Sequence, residues 1–408
     1  MLNPSTIRQD FPIYASQPEL VYLDSAATAL KPKMVIEAMS HYYSEYSTNV
    51  GRGLYPLAEK ATLAFDKARK TVARFVNTKQ PDAVVFAANA TQAINLVALG
   101  LEHRITAENN IVVTELEHHS NYLPWKELAR RTGAELRIAH FTSDGFIDAT
   151  HLVSLVDSHT AIVAFSAVSN VFGVVNSIPS LIASLRRVRP ETLVLVDACQ
   201  LAGHFPIDSQ AWDADFIVFS GHKLFGPTGI GVLTGKIAAL ELLTPMNVGG
   251  GTVLDACSSV TEYKRLPENL EGGTPNIAGA IGLGAAIDFV EGLGWEHIRA
   301  HERTLVHSLI TKLRAAFGDT LHILGSEAAE SRAGIVAFTL DGIHPHDLAQ
   351  LLGEEDVCVR AGEHCAAPLH RAIGLSASTR VSVSVYSTES DIDRLVSALK
   401  KAWPLFKK

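Results

Sequence analysis

The residues best placed to do covalent chemistry are a lysine and an aspartate, each just beyond an apolar run of strand length. Lys223 lies in Phe219-Ser220-Gly221-His222-Lys223-Leu224-Phe225-Gly226-Pro227, a polar, glycine-rich turn after the run Phe216 to Phe219. An arbitrary lysine is a solvated surface residue. This one sits in a tight turn of low helix propensity, where an amine is available to form a Schiff base. Asp197 closes the run Thr192 to Val196. An aspartate at a strand end is often only a helix cap, but the two residues are one strand–loop–strand unit apart. In a parallel sheet both emerge at the carboxyl edge, where open α/β folds place their ligands.

The elements that must position them alternate along the chain. Ala64, Ala68, Val72, Phe75 and Val76 recur at helical spacing, followed by short apolar runs at Val84 to Ala87, Ile111 to Val113, Leu136 to Ala139, Ala161 to Phe165, Thr192 to Val196 and Phe216 to Phe219. Helical stretches separate most of them, which predicts a largely parallel sheet covered by helices. Gly249 to Gly251 and the turn Glu271-Gly272-Gly273-Thr274-Pro275-Asn276 bracket a stretch read as an extended loop. Helices over 277–293 and 295–316 follow, with strands at Ile335 to Leu340, Val357 to Arg360 and Val381 to Val385. A last helix starts at the capping box Thr388-Glu389-Ser390-Asp391. The predicted division is an N-terminal segment 1–22 packing with the small domain, a large domain 23–285 and a smaller α+β domain 286–408.

The whole-chain properties narrow the class. With 408 residues, 47% hydrophobic and 19% charged, the chain can bury a large core and exceeds one typical domain. A formal charge of −8 with both signs interspersed offers no basic stripe for a phosphate backbone, so nucleic acid is not an expected partner. No basic stretch precedes an apolar run near the N-terminus and no segment nears 18 uninterrupted apolar residues, so the expectation is a cytoplasmic protein without membrane contact. Cys199, Cys257, Cys358 and Cys365 are too scattered for a disulfide framework and form no CxxC pair, and no metal site is expected.

Four segments occur in order from about residue 10 to the C-terminus: Tyr22-Leu23-Asp24-Ser25-Ala26-Ala27-Thr28, Asp197-Ala198-Cys199-Gln200, Ser220-Gly221-His222-Lys223 and Arg360-Ala361-Gly362-Glu363-His364-Cys365. Together they resemble the class V, fold-type I enzymes that use pyridoxal phosphate, and more narrowly the SufS/CsdA-type cysteine desulfurases of the NifS-like group. The resemblance implies a mostly parallel seven-stranded sheet in the large domain. It implies that Lys223 forms the Schiff base with the cofactor, Asp197 pairs with the pyridinium nitrogen and Gln200 bonds the ring hydroxyl. His118, in Glu117-His118-His119-Ser120-Asn121, matches the residue that stacks on the ring, and an imidazole there can pass protons near neutral pH. His119 is left as a polar loop residue. Asn170 matches the asparagine beside the ring hydroxyl and substrate carboxylate. Thr91, Ser220 and His222, with backbone N–H groups around Ala90, would hold the phosphate. Thr274 matches a threonine that reaches the phosphate from the other subunit of a homodimer, and Arg380 the arginine that pairs with the substrate carboxylate.

A lone cysteine is more often a buried small hydrophobe than a nucleophile, and Cys358 and Cys199 fit that reading. Cys257 lies in a polar stretch with no basic neighbour and is left unassigned. Cys365 stands between Gly362 and Pro368 in a segment that reads as an exposed loop. Because an unperturbed thiol with a pKa of ~8.5 is only a few per cent thiolate at neutral pH, it needs a nearby cation. His364 and groups on the substrate are the candidates. The resemblance thus implies that L-cysteine loses its sulfur to Cys365, giving L-alanine and a persulfide for an acceptor protein in sulfur metabolism such as iron–sulfur cluster assembly. Selenocysteine lyase, class V aminotransferase or epimerase, and a partner-docking protein that binds the cofactor with little activity are the alternatives. Three positions depart from the pattern. Asn49-Val50-Gly51-Arg52 has glycine where a histidine is usual, Ala90 replaces a phosphate-binding threonine, and Gln92 replaces a glutamate. The hydroxyl lost at Ala90 is worth about 1.5–3 kcal/mol as a bond to a charged group.

Overall fold

Apolar runs of four to seven residues with alternating side chains can bury both faces of a sheet only if helices cover each face, and that is how the chain folds. The computed structural model describes residues 2–257 and 260–406. Its main sheet has seven strands in the order Val84–Ala87, Gly231–Gly235, Phe216–Ser220, Leu193–Asp197, Thr160–Ser166, Asn110–Thr114, Glu135–Ala139. Gly231–Gly235 runs antiparallel to both neighbours and every other pair is parallel. Along each strand, alternate residues enter opposite cores. Val194, Val196, Ile217 and Phe219 face one side, while Leu195, Phe216 and Val218 face the other.

Six of these strands fall within a residue or so of the apolar runs. The seventh has only Val232 and Leu233 between two glycines, too little pattern to read as a strand. Those glycines are steric necessities: a Cβ at Gly231 would lie 2.6 Å from the Asn89 backbone, and one at Gly235 would lie 2.0 Å from the Asp215 carbonyl oxygen.

The C-terminal part packs a four-stranded antiparallel sheet, Leu321–Ile323, Ile335–Leu340, Ser378–Ser382 and Arg360–Gly362, under the helices Trp295–Phe317, Pro345–Glu354 and Glu389–Ala402. The expected capping box is present, with Thr388 and Asp391 bonding each other's backbone N–H. Four expectations need correction. The run expected over Val357 to Arg360 splits: Val357–Cys358 pairs in parallel with Val21–Tyr22, and Arg360–Gly362 joins the four-stranded sheet. The strand expected at Val381 to Val385 is Ser378–Ser382, because its buried residues are mostly polar and carry no hydrophobic signal. The loop expected between Gly251 and Glu271 contains an exposed hairpin, Val253–Ala256 with Thr261–Tyr263. The division expected at 285/286 cuts the helix Ile277–Leu293, whose Ala286, Ile287 and Val290 belong to the large core; the helix ends only at Gly294, with φ of 81°.

The N-terminal segment bridges the two cores. Phe11 packs edge-on against Phe289 and Tyr386, and Arg8 bonds the Tyr386 carbonyl and pairs with Asp391. Among the described residues no single helix is long and apolar enough to cross a membrane.

Candidate active site

Because the central strands are parallel, Ser166, Asp197 and Ser220 finish at one edge of the sheet, with Ser166 in register with Asp197. Past Ser220 the chain makes a 3₁₀ turn, Gly221–Lys223, which needs a glycine because a Cβ at Gly221 would meet Ile230 at 2.7 Å. The turn is fastened from the N-terminal motif. The His222 carbonyl accepts from Ala29 N (2.9 Å), Thr28 Oγ1 (3.2 Å) and Lys31 Nζ (3.1 Å). Lys223 Nζ donates to the Ala26 carbonyl at 2.7 Å, and Gln200 Nε2 donates to the same oxygen at 2.9 Å. Burial brings the Lys223 amine down to about 8, so a substantial share is neutral near physiological pH. Asp197, 6% exposed, accepts from Cys199 N at 2.9 Å, and burial pushes its carboxyl up.

A cavity of about 260 Å³ opens at this edge. Lys223, Asp197 and Gln200 line one side, and Asn89, Ala90, Thr91, Ser120, Ser220 and His222 line another. The second group surrounds the N-terminus of the helix Ala90–Gly100. Asn89 caps it through Gln92 N (2.9 Å), and the Ala90 N–H goes to Ser220 Oγ (2.9 Å), so this amide is already used. By accepting that bond, Ser220 keeps its own O–H to donate. Gln92 accepts from Ala88 N at 2.5 Å and so completes the cap. Burial, then the charges of Lys223 and Lys31, bring His222 down to about 4, so it offers a neutral N–H.

His118 lines the same cavity and caps the helix His119–Thr132, its Nδ1 accepting from Ser120 N at 3.1 Å. Burial and then Lys223 bring its imidazole down to about 3. With Nδ1 accepting the Ser120 N–H, a neutral His118 ring carries its proton on Nε2. Beneath it Glu117 is fully buried, accepting from Thr114 Oγ1 (2.6 Å), Asn121 Nδ2 (2.6 Å), Ser166 Oγ (2.5 Å) and Ser166 N (3.1 Å).

The cavity's far side comes from the C-terminal sheet. Arg380, 3% exposed, donates through Nη1 to the Asn170 carbonyl (3.1 Å) and through Nη2 to Asp24 Oδ1 (3.1 Å). Its Nε is buried without a partner. Arg380 also lines the cavity, so its planar guanidinium is the group there that can pair with a carboxylate. Cys365 is exposed on the loop above, with Arg360 also at the cavity wall. His364 does not supply the expected cation. Its ring is 5% exposed, with Nε2 on the Ser378 carbonyl (3.1 Å) and hydroxyl (3.0 Å), and burial followed by the Arg380 charge lowers it to about 2. Arg380, whose charge interacts with the Cys365 thiol, and Arg360 line the same cavity. Cys199 also lines the cavity, its thiol pKa pushed well up by burial; Cys199 and Cys358 are half-buried and Cys257 is exposed.

Thr274 stands apart. It lines a second, larger cavity of about 940 Å³ together with Gly51 and Arg52. The turn before it is anchored by Glu271, which pairs bidentately with Arg69 (2.6 and 2.8 Å) and accepts from Phe86 N (2.6 Å). Asp24, Ser120 and Arg360 join the site without having been expected there; Arg360 opens the segment that ends at Cys365, and its charge is the local signal for it.

The first cavity fits pyridoxal phosphate by its donor set. Asp197 is a buried carboxylate at the cavity wall, the acceptor that a pyridinium N–H would pair with. Hydroxyls of Thr91, Ser120 and Ser220 gather at a helix N-terminus suited to a phosphate, and a lysine amine stands between the two. The sequence comparison agrees with this chemistry: residues 21–395 match the Aminotransferase class-V family. The chain belongs to that family. Within class V, it is 43% identical over 410 residues to a probable cysteine desulfurase of Streptomyces coelicolor, covering 98% of this chain and 97% of that protein. It is 41% identical to a cysteine desulfurase of Cronobacter sakazakii, covering 96% of each. Among solved structures, an apo cysteine desulfurase from Thermococcus onnurineus superposes with a TM-score of 0.93 at 35% identity over 98% of each chain. The cysteine desulfurase CsdA of Escherichia coli, in an S-sulfonic acid form, gives 0.89 at 35% identity over the full length of both. The class V family and these desulfurase structures bear out the fold-type I α/β architecture and the cofactor expected from the four motifs.

Proposed function

We propose that the protein is a pyridoxal 5′-phosphate-dependent cysteine desulfurase that takes sulfur from L-cysteine, releases L-alanine and keeps the sulfur as a persulfide on Cys365. The observation that carries the reading is a single cavity lined by Lys223, Asp197, the Arg380 guanidinium and the exposed Cys365. Lys223, Asp197, Gln200, His118, Asn170, Thr91, Ser120, Ser220 and His222 would hold the cofactor. When bound, it supplies an electron sink conjugated to the substrate's α-carbon.

The chain's own groups do the rest. The Arg380 guanidinium, oriented by Asp24, takes the substrate carboxylate. The Lys223 amine, lowered to about 8, is basic enough at Nζ to remove the α-proton and return it. The Cys365 thiolate, in the cavity that Arg380 and Arg360 also line, attacks the substrate sulfur. A new S–S bond forms, the Cβ–S bond breaks with its electron pair left on carbon, and the Cys365 thiol proton ends on the alanine methyl. Sulfur is oxidised as carbon is reduced, and no external oxidant enters. L-Selenocysteine presents the same carboxylate and amine, so it is a second substrate on this reading.

The position of Thr274 supports a homodimer. It lines the second cavity with Gly51 and Arg52, and Leu54, Tyr55 and Leu57 stand exposed on the neighbouring chain segment. A second copy covering this face would receive Thr274 at its own site, so the Gly51 departure affects the shared contact rather than the lysine pocket. The exposed persulfide would then pass to an acceptor protein.

The test is incubation of the loaded enzyme with L-cysteine, followed by quantification of alanine and mass analysis of the protein. The expected result is one sulfur added at Cys365, and alanine production lost in Cys365→Ala while selenocysteine turnover is spared. An unchanged rate on cysteine in Cys365→Ala would overturn the reading, as would conversion of the cofactor to its amine form that an added keto acid reverses.

A further inference from the structure

The helix His119–Thr132 begins with two adjacent histidines that point to different tasks. His118 lines the cofactor cavity, whereas His119 meets the cysteine loop twice. Its backbone N–H donates to the Cys365 carbonyl at 2.6 Å, and its ring Nε2 accepts from Ala367 N at 3.1 Å. Both bonds hold the chain at the cysteine's carbonyl and just after it.

The loop needs such support. His364 and Cys365 are consecutive non-glycine residues in the left-handed region, with φ of 52° and 57°, after Gly362 at 122°. Side chains rarely occupy that region, and a pair in succession persists only where surrounding contacts over-determine it. The short helix Ala367–Ala372 that follows has Ala366 at its N-cap, which has no side-chain acceptor for the first N–H groups. The His119 ring supplies that acceptor from across the site. On the other flank, Asn170 Nδ2 donates to the His364 carbonyl at 2.8 Å.

We propose that His119 is a positioning residue: by accepting the Ala367 N–H, its ring clamps the helix after Cys365 and fixes the thiol's seat at the mouth of the cavity. The role requires Nε2 unprotonated and the ring proton on Nδ1. It concerns the aim of the nucleophile, not the cofactor or the substrate carboxylate.

The test compares His119→Leu, which removes the acceptor, with His119→Gln, whose amide oxygen has a similar reach, in the cofactor-loaded protein. Two readouts are taken: amide hydrogen exchange over residues 363–367, and sulfur removal from L-cysteine separated into kcat and KM. Loss of one helix cap predicts about tenfold faster exchange and about tenfold lower kcat in His119→Leu. KM should be unchanged, and His119→Gln should recover most of both effects. Wild-type exchange and kcat in His119→Leu, or a His119→Gln variant as defective as His119→Leu, would overturn the proposal. If His119→Leu does not fold, the wild-type protein still decides: an Ala367 amide that exchanges like an open chain leaves no clamp. The kinetic readout rests on Cys365 being the sulfur acceptor, whereas the exchange readout does not. Full turnover by Cys365→Ala would therefore sink that reading alone, and unaltered exchange in His119→Leu would sink this one.

Discussion

Ser120→Ala should loosen the cofactor through Thr91, and hydrogen positions determine by how much. Three groups lie in a row: Thr91 Oγ1 is 2.7 Å from Ser120 Oγ, which is 3.0 Å from His118 Nδ1. The lone pair on Nδ1 already accepts the Ser120 N–H. A phosphate is an acceptor only, and in the relay the Thr91 O–H, in the first turn of the helix Ala90–Gly100, points at it. Ser120 then donates its O–H to Thr91 Oγ1 and polarises the Thr91 proton toward the anion. Thr91→Val removes a charge-assisted bond worth about 2 kcal/mol, or about 30-fold in cofactor dissociation. Ser120→Ala removes only the group that aims it. Since the site is partly open to water, about 1 kcal/mol is expected, close to fivefold. The assay is equilibrium release of pyridoxal phosphate from the loaded enzyme by absorbance, with pyridoxal, which lacks the phosphate, as the control ligand. Retention of pyridoxal should be unchanged in both variants, and Ser120→Ala should cost almost nothing on a Thr91→Val background. Additive losses in the double variant, or an equal loss with pyridoxal, would refute the hydroxyl relay. The same relay addresses Ala90: a hydroxyl missing from the first turn of one helix is met by a hydroxyl in the first turn of another.

What could be read from the sequence divides along physical lines. The strands that end at Asp197 and Ser220 are β-branched apolar runs, because a sheet buried on both faces demands them, and the site residues at their ends followed from parallel geometry. The strand Ser378–Ser382 is as deeply buried but reads Ser-Thr-Arg-Val-Ser, since its inward side chains build the site instead of the core. Roles that depend on distant partners left no local trace. Asp24 orients Arg380 from 356 residues away, and His119 meets Ala367 across 248. His364 misled for the opposite reason: adjacency to Cys365 suggested a cation, but the left-handed backbone turns its ring to Ser378, where burial keeps it neutral.

Arg69→Met should strand the Glu271 carboxylate, as both side chains are only 10% exposed, and cost about 3 kcal/mol in urea unfolding. Arg69→Met/Glu271→Met should recover more than half of this; equal losses in the single and double variants would contradict a paired role. Glu117→Gln tests the buried carboxyl beneath His118. Burial is the largest influence on Glu117 and raises it to about 7, even against its hydrogen bonds. Between the unfolded value of ~4.3 and about 7 the folded state binds the extra proton, so this group makes stability fall as pH rises through that window. At pH 4 the group is mostly protonated in both states and contributes little; by pH 7 the cost is about 3 kcal/mol. Glutamine cannot titrate, so the pH dependence of unfolding should be flatter in Glu117→Gln by that amount. The variant should also lose stability at every pH, because its amide sets an N–H₂ against either Asn121 Nδ2 or the Ser166 backbone N–H, and Asn121 cannot turn over while its Oδ1 holds Trp125 Nε1 at 3.0 Å. The comparison is therefore of slopes between pH 4 and pH 8, and curves that run parallel would show that Glu117 is ionised in the folded protein throughout.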